Sequence, residues 1–146
     1  MRLRAFLLAV AMILVPVAPA TAHPASEAKA KCHSHYKRGP SQLERLARCT
    51  TRRMGFSRGA RTRFVSLMRC ESRSRWNAIS KSRRYWGPAQ QDRDRWTARV
   101  WTHLSRRYAR RVLRKSHDGI LSAPAHIRVS GWMILRDGWG HWPRCA

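Results

Sequence analysis

The chain has 146 residues, with 31 Lys and Arg against 7 Asp and Glu, a formal net charge of +24 when histidine is neutral. That length fits one modest domain and leaves little room for a second. Self-repulsion at this charge opposes the compact state, so an electrostatically indifferent surface is disfavoured and a polyanionic partner or surface is expected.

Taken in order, the N-terminus reads as a secretory signal peptide over residues 1–22. Arg2 and Arg4 form a basic start and Ala5 to Val15 an uncharged apolar run. Pro16 and Pro19 break that run before the small-residue pattern Ala20-Thr21-Ala22. The run is too short and wrongly flanked to span a bilayer, and no later segment is apolar enough to do so. Only Arg2 and Arg4 among the cations precede position 23, and all seven acids follow it. The mature chain therefore carries 29 basic residues against 7 acids, net +22. Arginine dominates, which suits bidentate pairing with carboxylates and phosphates. For an exported protein the expected partners are anionic cell-wall polymers, anionic lipid or extracellular nucleic acid.

Four cysteines in a small exported domain make two disulfides, with three pairings open on counting alone. Residues 23–40 form a flexible basic lead-in ending at the Gly39-Pro40 turn and tethered at Cys32. Cys32-His33-Ser34-His35 reads as a bridge and not as zinc ligands, because no second cysteine is near and the destination is oxidising. No metal and no cofactor are expected.

Ser41-Gln42-Leu43-Glu44 has the form of a capping box, opening a first helix over about residues 42–54. Leu43, Leu46, Ala47 and Met54 share one side, Cys49 lies at its edge, and Gly55 follows as a C-terminal stop. Ser57 or Thr62 starts a second helix carrying Phe64, Val65, Leu67 and Met68. Positions 64, 67, 68 and 71 share a face, so Glu71 continues an apolar stripe. The negative end of the helix dipole and apolar surroundings raise the pKa of such an acid, while Arg69, Arg73 and Arg75 pull the other way.

From Arg73 to Gln91 the helical period is lost, and Asn77, Ser80, Ser82 and Gly87-Pro88 mark loops or a short irregular hairpin. Asp92 caps a further helix with Trp96, Val100, Trp101, Leu104 and Tyr108 as its core stripe. Arg106 to Lys115 continues that helix or forms a second one, and His117-Asp118-Gly119 ends it. Ser122-Ala123-Pro124 starts the last helix, with Ile127, Met133 and Ile134 inward and Gly131 a weak point. Asp137-Gly138 closes it before an aromatic tail. All seven tryptophans lie between Trp76 and Trp142. Residues 41–56 therefore read as a helix appended to a tryptophan-rich unit within one domain, 41–146.

Two blocks of this sequence carry a family pattern. The first is Cys70-Glu71, Trp76, Tyr85-Trp86-Gly87-Pro88-Ala89-Gln90, Asp92 and Trp96. The second is the tail Gly138-Trp139-Gly140-His141-Trp142-Pro143-Arg144-Cys145. Together they resemble the catalytic core of the resuscitation-promoting factors, within the lysozyme-like and soluble lytic murein transglycosylase group. The resemblance implies a mainly α, lysozyme-like α+β fold: a small disulfide-stapled helical domain with an irregular or hairpin segment beside a cleft. It implies Glu71 as the single catalytic acid, Gln90 facing the glycan, and Trp76, Tyr85 and Trp86 lining the cleft. It also implies a Cys70–Cys145 disulfide, which leaves Cys32 for Cys49. In the chain-entropy picture the longer bridge is worth up to about 4–5 kcal/mol. Ser72-Arg73-Ser74 departs from the family's glycine-rich continuation, and His126 stands where related enzymes carry an amide.

The expected activity is cleavage of the MurNAc–GlcNAc bond of peptidoglycan. A pair of catalytic carboxylates would sit about 5–9.5 Å apart. Asp92 is accounted for as a helix cap and Asp94 as a first-turn acid. A lone Glu71 favours the lytic transglycosylase route, with soluble anhydro-muropeptides as products, and a partner endopeptidase is a candidate companion. The alternative is a non-catalytic cationic wall-binding or antimicrobial protein on the same fold. Specific nucleic-acid binding is disfavoured by export and by the lack of a base-reading motif.

Overall fold

A computed structural model describes residues 32 and 34–145. The expected signal peptide, residues 1–22, lies outside the described residues, as do lead-in residues 23–31 and 33. Within them the fold is mainly helical. It comprises α1 (Pro40–Arg53), α2 (Arg58–Ser72), α3 (Arg93–His103), α4 (Arg106–Leu113) and α5 (Ala123–Asp137), with strands β1 (Tyr85–Trp86) and β2 (Gln91–Asp92) between α2 and α3.

The last helix is the central one. Ala123, Ala125, His126, Ile127, Val129, Ser130, Gly131, Met133 and Ile134 are all buried, so α5 is covered around most of its circumference. α1 and α3 pack against it, and α2 packs against α1. On α2 the expected face is present: Phe64, Val65, Leu67 and Met68 are buried, each worth about 1.5–3 kcal/mol relative to exposure. Ser57 starts this helix and accepts the Ala60 N–H at 3.2 Å, whereas Thr62 lies inside it and donates to the Arg58 carbonyl.

The Ser41 capping box does not form. Pro40 occupies the first turn, the N-cap is Gly39, and no side chain caps it; a proline whose missing N–H costs nothing there moves the start forward. Glu44 is released from the cap and turns outward to α2. The lead-in is also less loose than its composition suggests. Ser34 donates to the Gln42 carbonyl at 2.7 Å, and the Tyr36 ring meets Trp76 edge-on at 5.9 Å.

Nor is the first helix an appendage. Leu43, Leu46 and Ala47 belong to one buried cluster with Phe64, Trp96, Ile127 and Met133. Gly131, expected to weaken α5, is where α1 reaches it: a Cβ there would sit 2.7 Å from Met54 Cε. The glycine lets the end of α1 approach.

The basic stretch after α3 is a second helix. Leu104 takes an extended conformation and Ser105 accepts the Tyr108 N–H, starting α4 afresh. Trp96 and Val100 are buried as expected, but Trp101 is 46% exposed. One residue beyond Val100 it is turned about 100° around the helix, away from the core. Two disulfides form, Cys32–Cys49 and Cys70–Cys145, the state an oxidising compartment favours. No helix among the described residues is long and apolar enough to cross a membrane.

Candidate active site

Glu71 is the penultimate residue of α2, half-buried, on the face that continues Phe64, Leu67 and Met68. Burial pushes its carboxyl above the usual glutamate range. The neighbouring arginines do not reverse this, because they are engaged elsewhere or face solvent. Arg69 forks onto Glu44, with Nε 2.7 Å from Oε1 and Nη2 on Oε2. Arg75 donates through Nε to the Ser72 carbonyl at 3.3 Å. Arg73 is exposed and closes the helix in a left-handed conformation, φ 54°. Among the described residues the Glu71 carboxylate has no hydrogen bond or ion pair.

The next residue ties this helix end to the hairpin. Ser72 Oγ lies 2.8 Å from the Pro88 carbonyl and 3.0 Å from that of Met68, and it accepts the Arg75 N–H. β1 and β2 pair antiparallel, Tyr85 with Asp92 and Trp86 with Gln91, around the turn Gly87–Gln90. Every residue of that turn is held. The Gly87 N–H donates to the Ala78 carbonyl at 2.7 Å. The Ala89 N–H donates to His126 Nε2 at 3.1 Å, and the Ala89 carbonyl accepts from Trp142 Nε1 at 2.8 Å. Gln90, at φ 47°, bends its side-chain Nε2 back to the Gly87 carbonyl at 2.8 Å. Gly87 adopts φ 78°, and a Cβ on it would lie 2.5 Å from the His126 ring, so only glycine fits both the backbone and the space.

The residues proposed from the sequence thus fare differently. Glu71 and Gln90 are linked through Ser72 and Pro88, although the Gln90 amide nitrogen braces its own turn. Tyr85 is 40% exposed at the strand edge, with Ile79 beside the same hairpin at 45%. Trp76 is partly buried, its ring met by Tyr36 and by Lys37 Nζ at 5.3 Å. Trp86 is buried to 4% and donates Nε1 to the Arg83 carbonyl. It offers no ring face to a glycan and serves as hairpin core, which corrects its expected place in the cleft wall.

Gln91 was not legible from the motifs, and His126 was marked there only as a departure from the family pattern. Gln91 is buried, donating to Ser130 Oγ at 2.8 Å and accepting from Arg99. Gln90 lies in the turn at φ 47° while Gln91 opens β2, both of whose residues are buried, so it is the end of the turn that gives the adjacent glutamines different surroundings. His126 is fully buried, with Nδ1–H on the Ile120 carbonyl at 3.0 Å and Nε2 accepting from Ala89. Burial holds it neutral, with a pKa lowered to about 4.

The other acids have different surroundings. Glu44 is drawn below its ordinary value by Arg69 and Ser74. Asp92 caps α3 through the Asp94 and Arg95 amides, pairs with Arg84, and is lowered despite its burial. Asp137 lies near Arg136 and His141. Asp94 and Asp118 are exposed. Glu71 is the acid among the described residues whose proton affinity is raised. Comparison with known proteins yields no matching family model, curated protein or solved structure.

Proposed function

We propose that this protein is an exported peptidoglycan-cleaving enzyme of the lytic transglycosylase type, with Glu71 as its acid and base. The observation that carries the reading is an unpaired, half-buried carboxyl with raised proton affinity in a chain whose cations outnumber its acids fourfold. Protonating a glycosidic oxygen near neutral pH needs a carboxylic acid that holds its proton. Once it has given that proton up, Glu71 takes one from the C6 hydroxyl of the muramic residue, and the 1,6-anhydro ring closes without water. The absence of a second raised or facing carboxylate among the described residues favours this route over a two-acid hydrolysis. The braced turn beside the helix end supplies a rigid wall, with Tyr85, Ile79 and the Gln90 amide oxygen as its accessible groups.

Purified peptidoglycan incubated with the protein should release anhydro-muropeptides, identified by mass, and Glu71→Gln should abolish release while wall binding persists. Products with reducing ends would instead mean hydrolysis. No products from the wild type would leave the second reading, a cationic wall binder, which the exposed arginines support on charge alone.

A further inference from the structure

Four arginines from two helices meet where none of the Glu71 constellation lies. Arg48 and Arg52, one turn apart on α1, and Arg58 and Arg61, in the first turn of α2, line an open pocket of about 440 Å³ together with Cys49 and Thr62. No carboxylate lines it. Arg48 Nη1 reaches Thr62 Oγ1 at 3.4 Å, and Arg52, Arg58 and Arg61 have no ion pair among the described residues. The nearest acid on α1 is Glu44, one turn before Arg48, and both of its oxygens are engaged by Arg69, with Ser74 adding a third bond.

Like charges gathered in a concave site repel, and an anion bound among them relieves that repulsion. The wall is built before that anion arrives: Cys49 is tied to Cys32, and α1 and α2 are clamped together by Glu44 and Arg69. Guanidinium forks match phosphate oxygens two at a time. The pocket is larger than one phosphate needs and open at its mouth, which suits a chain passing through it. We propose that this pocket is a docking site for a linear phosphodiester polymer, gripped at successive phosphates by the arginines of α1 and α2. The site is independent of the chemistry assigned to Glu71.

Binding of the mature protein to a poly(glycerol phosphate) of defined length, at about 0.15 M salt, tests this. Arg52→Gln with Arg58→Gln should weaken binding roughly 100-fold, about tenfold per charge-assisted contact. Arg52→Lys with Arg58→Lys, which keeps the charge and loses the fork, should weaken it roughly tenfold. Neutralising Arg106, Arg107, Arg110 and Arg111, which lie exposed along α4, should change it less than about threefold. Equal losses from the pocket and α4 variants would overturn the proposal in favour of diffuse attraction. Inorganic phosphate binding as tightly as the polymer, or poly-glutamate competing equally well, would overturn the assignment to a phosphodiester chain. Thermal unfolding checks each variant, and the Gln pair should unfold no earlier than wild type, because it relieves repulsion. Glu71→Gln should bind the polymer as wild type does, which separates failure here from failure of the catalytic reading.

Discussion

At the scale of single residues, the two informative titrations run in opposite directions. The Glu71 carboxyl is raised by burial, so the folded state holds a proton more tightly than the unfolded chain. Its contribution to stability is present at low pH and falls as pH rises through the folded value. Glu71→Gln should therefore stabilise the protein increasingly above the ordinary glutamate range, while any glycan-cleaving activity of the wild type should fall at high pH as Glu71 loses its proton. Denaturant titrations at several pH values would check the first and a pH–rate profile the second. His126 behaves the other way. Its folded pKa of about 4 lies below the unfolded value near 6.5, so stability is lost as pH falls between them, by about 3 kcal/mol in total. His126→Gln, which can still accept the Ala89 N–H, should flatten that acid loss; an unchanged slope would place it elsewhere. Arg73 and Ser74 both sit at φ 54°, a region costing an L side chain about 1–2 kcal/mol. Arg73→Gly should then raise stability by about 0.5–1 kcal/mol, after the greater freedom glycine has when unfolded. A rise in thermal midpoint measures it.

At the scale of elements, the face of α2 and the start of α3 were legible, while the start of α1 and the outward turn of Trp101 on α3 were not. The stripe of α2 and the cap of α3 at Asp92 follow from side-chain spacing and from one acceptor meeting free amides. The start of α1 does not, because two local signals compete there, a serine–glutamate box and a proline, and Glu44 is decided by a partner on another helix 25 residues away. That partner gives the prediction at this scale. Glu44→Gln should loosen α1 from α2 and lower the thermal midpoint only slightly, because Arg69 is exposed and water screens the pair. Since the Glu44 carboxyl is lowered by Arg69, its stabilisation is complete above the ordinary glutamate range and vanishes as pH falls through the folded value. The double variant with Arg69→Met should show the coupling. The surroundings of the candidate acid were legible to the same depth. Glu71 announced itself as a carboxylate on an apolar face, and so did its proximity to a turn. Which aromatic rings stay accessible did not, since Trp86 and Tyr85 are neighbours in sequence and strand alternation alone sends one inward and the other out.

For the whole molecule, the Cys70–Cys145 bridge has a consequence for resistance to proteolysis. It spans a separation of 75 residues and closes nearly all of the chain beyond α2 into a ring. The exposed arginines of α4 and the Arg83–Arg84 pair are natural targets for trypsin-like proteases, and both lie inside that ring. One cut there opens the ring without releasing a fragment, because the two new ends remain joined through the bridge and through the turn that α5 and the tail hold from both sides. A once-nicked molecule should therefore migrate as an intact chain under non-reducing conditions and as two pieces after reduction. It should also refold after mild denaturation for as long as the bridge is kept.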